Sequence, residues 1–179
     1  MIEQSDGALT ILGIDPGYAI LGWGVIEYRA SRHRLIGYGA VRTEKGEPMP
    51  ERLKRIYDGL AGIIAEYAPD VCSVEELFFN SNQKTAIGVG EARGVAVVAC
   101  ANAGLPVYEY TPLQIKQALT GYGRAEKQQM QEMVRMVLGL EEAPRPDDAA
   151  DAVAAAICHA NSSAYLDRVA RYAAGAGGR

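Results

Sequence analysis

Several residue types that carry common chemistries are scarce in this 179-residue chain. Histidine occurs only at His33 and His159. Cysteine occurs only at Cys72, Cys100 and Cys158, with no metal-site spacing among them. An odd count of cysteines, each flanked by apolar residues, predicts buried free thiols and not a disulfide framework. No apolar run approaches the roughly 18 residues of a membrane span. The start, Met1-Ile2-Glu3-Gln4-Ser5-Asp6, lacks the basic and apolar stretches of a signal peptide, so the expected location is the cytoplasm. Nor does one charge dominate: 18 Lys and Arg against 22 Asp and Glu leave a net charge of −4. That argues against a wholly basic nucleic-acid coat but leaves room for a local basic face. What the chain has in quantity is apolar residues, 49% of the total, enough for the core of one globular domain, expected over residues 1–170. From Arg171 the Ala- and Gly-rich end, 171–179, reads as a disordered tail.

Apolar spacing divides the chain into alternating elements. Leu9 to Asp15 is an apolar, β-branched run closed by Asp-Pro-Gly, a strand ending in a turn; Ile20 to Tyr28 and Leu35 to Thr43 continue an antiparallel meander. From Glu51 to Tyr67 the apolar residues recur every three or four positions, the stripe of an amphipathic helix that Pro69 ends. Val71 to Leu77 is a second apolar strand, followed by a polar loop, Asn80 to Lys84, and an Ala- and Gly-rich helix from Thr85 to Ala103. A short strand (Val107 to Tyr110), two helices (Pro112 to Leu119, Glu126 to Leu138) and a final Ala-rich helix from Asp147 to about His159 complete the pattern. The order βββαβαβααα predicts an α/β protein with a ribonuclease H-like mixed five-stranded sheet flanked by helices.

Four acids stand out against this background. Asp15 and Glu75 lie at the carboxyl ends of apolar strands, where an ionised side chain loses hydration and needs a compensating partner. Alone, Asp15 also suits the first position of a turn, and only one of Glu75 and Glu76 can face the working side of the sheet. Asp148 and Asp151 are three apart at the start of the last helix and share a face. First-turn acids are ordinary partners of a helix dipole, but Asp151 interrupts a segment otherwise small and apolar all round. Joined at one end of the sheet, the four would repel one another unless divalent cations neutralised them. Magnesium, with its preference for carboxylate oxygens, is the expected ion, at two per site. Two such ions activate a water and stabilise the leaving oxygen of a phosphodiester.

The segments Ile11-Leu12-Gly13-Ile14-Asp15-Pro16-Gly17, Val74-Glu75-Glu76-Leu77-Phe78, Ala92-Arg93-Gly94-Val95-Ala96, Ala125-Glu126-Lys127 and Asp148-Ala149-Ala150-Asp151-Ala152 occur in the order found in the RuvC family of bacterial Holliday-junction resolvases. The resemblance extends over about residues 9 to 165. It implies a crossover junction endodeoxyribonuclease acting in recombination and repair, in which Asp15, Glu75, Asp148 and Asp151 are metal-binding catalytic acids. It further implies that Lys116 and Lys127 work beside the scissile phosphate and that Phe78 lies at the junction centre. Magnesium is the implied ion, with manganese a possible substitute. The implied assembly is a homodimer that nicks opposite strands of four-way junction DNA alongside the branch-migration proteins RuvA and RuvB. Asp147 adjoins Asp148, and spacing to Asp151 favours Asp148 for the metal position while leaving Asp147 on nearly the same face.

Lys84, Arg93, Arg124 and Lys127 are further candidate DNA contacts, Lys84 in the loop after the Glu75 strand and Arg124 and Lys127 beside a glycine break at a helix start. Phe78 could stack on an unpaired base. His159 reads as structural. Two other classes share parts of the pattern. ATP-binding proteins of the actin and sugar-kinase type open with a similar turn but need two such domains, and a non-catalytic junction binder would hold the acids as structural groups.

Overall fold

The structure, a computed structural model, describes residues 8–76 and 83–176, with side chains described for all of these except 83–85 and 164–176. The elements run β1 (Leu9–Asp15), β2 (Ile20–Arg29), β3 (Arg32–Arg42), α1 (Met49–Tyr67), β4 (Val71–Glu75), α2 (Gln83–Asn102), β5 (Val107–Tyr110), α3 (Pro112–Thr120), α4 (Lys127–Leu138) and α5 (Asp147–Ala176). They form one five-stranded mixed sheet in the order β3-β2-β1-β4-β5. The first three strands are an antiparallel meander, and β4 and β5 add in parallel. The ribonuclease H-like expectation is met element by element. Cys72, Cys100 and Cys158 are buried and unbridged, as their apolar flanks predict.

Helices cover both faces. Ile11 and Ile26 face a core layer built with α3, α4 and α5, while Leu12, Ile14, Val25 and Val74 face one built with α1 and α2. A central strand buried on both faces needs a near-continuous apolar run, which is what Ile11-Leu12-Gly13-Ile14 supplies.

The Ala-rich sequence of α5 has a steric reason. The helix lies directly on β1 and β2, its backbone approaching theirs across two glycines. A Cβ built on Gly13 would stand 1.9 Å from the Ala152 carbonyl oxygen, and one on Gly22 would stand 1.9 Å from that of Asp148. Small residues on helix and strand together permit this approach. Ser73 of β4 secures it, its buried hydroxyl donating to the Ala155 carbonyl at 2.7 Å. The first turns of α5 are thereby fixed over the carboxyl end of β1.

Three boundaries differ from the sequence reading. β3 begins at Arg32 and not Leu35, because ladder pairing with β2 continues through Tyr28↔His33 to a tight connection at Ala30 and Ser31, both with positive φ. α2 begins at Gln83, so Lys84 lies in its first turn and not in a loop. α5 continues past His159 to Ala176, through the start of the segment expected to be a disordered tail. Composition identified Ala-Ala-Gly as a fraying signal, yet alanine is also the strongest helix former.

Both histidines lie in contacts made by α5, His159 as part of the helix against β5 and His33 against it from β3. His159 is buried, its Nδ1 2.9 Å from the Tyr110 hydroxyl, and His33 lies 3.2 Å from the Asn161 side chain. Burial holds both imidazoles below their ordinary pKa. A group depressed in the folded state contributes stability that is complete above its unfolded pKa and is lost as pH falls through the folded one. The urea midpoint of unfolding is therefore expected to drop more between about pH 7.5 and about pH 5.5 in the wild type than in His159→Gln. Equal drops would contradict a neutral, buried His159.

Candidate active site

Side-chain alternation puts the strand acids on one face. Gly13 faces α5, so Asp15, two residues on, faces it too; Ser73 faces α5, so Glu75 does as well. Because β1 and β4 run parallel with Ile14 opposite Val74, Asp15 and Glu75 end adjacent strands at the same edge of the sheet. Glu76 is exposed, which settles the choice between neighbours in favour of Glu75. Asp148 and Asp151 come from the turns of α5 that rest on this edge, and Gly22, beneath the Asp148 carbonyl, is the cross-strand partner of Asp15.

The electrostatics link the acids through Asp15, on which the charges of Glu75, Asp151 and Asp148 all act. Burial first, then the charges of Glu75, Asp151 and Asp148, push Asp15 up to about 8, with Lys127 opposing. Burial and Asp151 push Glu75 up to about 7, with Lys116 opposing. Asp151 is raised too, mainly by burial, against the pull of Lys127. Among the described residues, no ion pair or side-chain hydrogen bond compensates Asp15 or Glu75. Such a group of carboxylates calls for cations from solution.

Donor chemistry fits a hard divalent ion. All four groups offer carboxylate oxygens, and no cysteine or histidine belongs to the cluster. Glu75 and Asp151 line one hollow and Asp148 another, with Asp15 acted on by the charges of all three. Among the described residues, no three acid, imidazole or thiol side chains are grouped tightly enough to hold an ion by themselves. Magnesium tolerates that arrangement, since it keeps several waters in its shell.

The cluster lies between two hollows of different character. A cavity of about 200 Å³ opens beside Glu75 and Asp151, with Lys116 and Lys127 on its wall and Ile115 and Met130 beneath. A wider, largely apolar hollow of about 650 Å³ runs from Asp148 between the Gly17–Ile20 turn and α2. That turn is braced by residues not evident from sequence. The Arg52 guanidinium stacks 3.7 Å over the Tyr18 ring and donates to the Tyr18 carbonyl, which also accepts from Thr43 Oγ1.

The sequence profile of crossover junction endodeoxyribonuclease RuvC matches residues 11–159. The chain belongs to the RuvC family. The RuvC of Desulforamulus reducens is 58% identical over 162 residues, 90% of this chain and 99% of that protein. The fold matches the Thermus thermophilus RuvC structure with a TM-score of 0.81 at 42% identity, covering 88% of this chain and 96% of the other. It also matches T. thermophilus RuvC in complex with Holliday junction substrate, with a TM-score of 0.82 at 43% identity, over 87% and 94% of the two chains. A RuvC-family chain is a crossover junction endodeoxyribonuclease, and the acid cluster with its two lysines lies inside the matched span.

The remaining candidates divide. Arg124 is exposed in the turn before α4. Arg93 pairs with Glu109 of β5, so any phosphate would compete for a charge already matched. Phe78 and the Lys84 side chain lie outside the described residues. Asp147 does not contribute to the rise of Asp15 or Glu75. Its carboxylate meets Lys127 at 3.1 Å and accepts from Gln131 at 2.9 Å, and both hold it below the usual carboxylate range. Sequence spacing singles out Asp147 as a rival ligand but carries no signal for Gln131.

Proposed function

We propose that this protein resolves four-way DNA junctions by paired nicks, hydrolysing a phosphodiester in each of two opposed strands with magnesium held by Asp15, Glu75, Asp148 and Asp151. The observation that carries this reading is the convergence on Asp15 of the charges of Glu75, Asp151 and Asp148 at one sheet edge, beside a cavity walled by Lys116 and Lys127. Bound there, divalent cations activate water for attack and neutralise charge on the phosphate oxygens. The protein's own groups do the rest. Asp15 and Glu75, on a buried sheet edge, present their oxygens in fixed directions. Lys116 and Lys127 face the phosphate and offset its charge. The apolar floor of Ile115 and Met130 limits competing water. Manganese, an oxygen-seeking ion of similar coordination, is expected to substitute.

Two sites cutting opposed strands require two copies. α2 offers the matching surface: Ile87 is 69% exposed and Val98 51%, and between them Gly90 and Gly94 present open backbone to solvent. A homodimer through this helix face covers the apolar stripe. Arg124 extends the basic rim on which a junction arm lies, Lys84 of the first turn of α2 is a further phosphate contact, and Phe78 stacks on a base at the junction centre. The family's branch-migration partners RuvA and RuvB complete the assembly, in the cytoplasm where chromosomal DNA lies. No helix among the described residues is long and apolar enough to cross a membrane.

A labelled synthetic four-way junction, incubated with magnesium and resolved on a denaturing gel, tests the proposal. Symmetric nicks in two opposing strands are expected, and an intact junction would refute it. Lys116→Ala and Lys127→Ala should each slow cutting and reduce the slope of log affinity against log salt by about 0.9 for every phosphate left without its cation. Unchanged rate and slope would remove that lysine from the DNA path.

A further inference from the structure

The cutting reaction as derived leaves Asp147 without a part, although both of its carboxylate oxygens have partners. Its Oδ2 stands 3.1 Å from Lys127 Nζ, and its Oδ1 accepts from Gln131 Nε2 at 2.9 Å. Lys127 thus lies between two carboxylates, Asp147 at 3.1 Å and Asp151 at 3.6 Å. The three side chains leave neighbouring helix turns, Lys127 and Gln131 one turn apart on α4 and Asp147 at the head of α5. We propose that Asp147, itself oriented by Gln131, is a positioning residue that holds the Lys127 ammonium at the rim of the acid cluster, where the scissile phosphate arrives. The inference rests on the resolvase reading above.

A lysine ammonium is a point charge on a flexible four-carbon stem, so its placement depends on what it is tied to. With a cation bound, Asp151 would give its oxygens to it and its hold on Lys127 would weaken. Asp147, which acts on Asp151 but not on Asp15 or Glu75, would keep its hold through the reaction. Gln131 fixes the second carboxylate oxygen and so leaves Oδ2 to Lys127. The pair is half exposed and contributes little to folding, so its value lies in aiming the charge.

Electrostatics alone predicts no loss of cutting when Asp147 is neutralised. An acid near a DNA phosphate repels it, so neutralising that acid should tighten binding. A positioning role predicts tighter or equal binding together with slower cutting, and the two effects separate cleanly.

The test compares wild type, Asp147→Asn, Asp147→Glu, Lys127→Ala and the double variant Lys127→Ala/Asp147→Asn on a synthetic four-way junction. Single-turnover cutting at saturating enzyme and metal-free junction binding are measured side by side. Asp147→Asn is expected to cut about 10-fold slower while binding at least as tightly, and Asp147→Glu to recover most of the rate. In the Lys127→Ala background the same substitution should change nothing, the signature of one residue acting through another. Three results would overturn the proposal: wild-type cutting by Asp147→Asn, an equal fractional loss with Lys127 already absent, or a loss cured by excess magnesium, which would make Asp147 a metal ligand instead. If the wild type itself leaves the junction uncut, the resolvase reading fails and this inference falls with it.

Discussion

Replacing Asp15 by asparagine is expected to lower junction cutting by about 10³-fold or more while leaving junction binding within a few fold of wild type. The substitution keeps the shape at the end of β1 and removes the charge that three other acids oppose. Burial and the neighbouring carboxylates make that charge costly in the metal-free protein, pushing Asp15 up to about 8. Asp15→Asn should therefore melt no lower than wild type when no metal is added, which separates lost chemistry from lost folding. In the proposed reading DNA docking rests on the basic rim and not on this carboxylate, so binding is expected to survive. Cutting at near wild-type rate in magnesium would show that the acid cluster is structural. Loss of binding together with cutting would show that Asp15 shapes the DNA surface.

The second large effect lies in the sheet and not among the acids. Gly22→Ala places a Cβ 1.9 Å from the Asp148 carbonyl oxygen and 2.3 Å from its carbon, against backbone that cannot swing aside. Either α5 lifts or β2 bends. Overpacking of this kind costs about 1–3 kcal/mol of stability. Because Gly22 pairs with Asp15, the same shift moves Asp148 away from Asp15, and displacement of about 1 Å in a catalytic constellation can cost about 10²-fold in rate. Gly62 of α1 is the control: a Cβ there meets nothing within 4 Å, so Gly62→Ala should stabilise the helix by about 0.5–1 kcal/mol and leave cutting unchanged. Thermal melts and cutting rates of the two variants check both halves. If Gly22→Ala behaves like Gly62→Ala, the close approach of α5 to β2 is not what sets the site.

The acids were legible in the sequence because apolar runs ended on them. A carboxylate at the end of Ile11-Leu12-Gly13-Ile14, or inside the Ala-rich start of α5, conflicts with its surroundings, and such conflicts mark sites. The antiparallel meander followed from the run of three strands before the first helix, and the stripe of α1 matched its buried residues Ile56, Leu60, Ile63 and Ile64. The glycines of β2 were legible only as interruptions. Their purpose, admitting a helix backbone, depends on a neighbour more than a hundred residues away in sequence. For the same reason Gln131 and Arg52 carry no sequence signal: each acts through a tertiary partner, Asp147 in one case and the Tyr18 turn in the other. Four- and three-residue spacings also leave Asp147 and Asp148 on nearly the same helix face, and only the structure shows that Asp148 acts on Asp15 while Asp147 meets Lys127 and Gln131.

Anomalous diffraction from crystals soaked in manganese tests the central claim most directly, because it locates the ion without relying on activity. The account predicts density bounded by the carboxylates of Asp15, Glu75, Asp148 and Asp151, lost in Asp15→Asn. Manganese bound at Asp147 and away from Asp15, or no ordered manganese at this sheet edge, would contradict it.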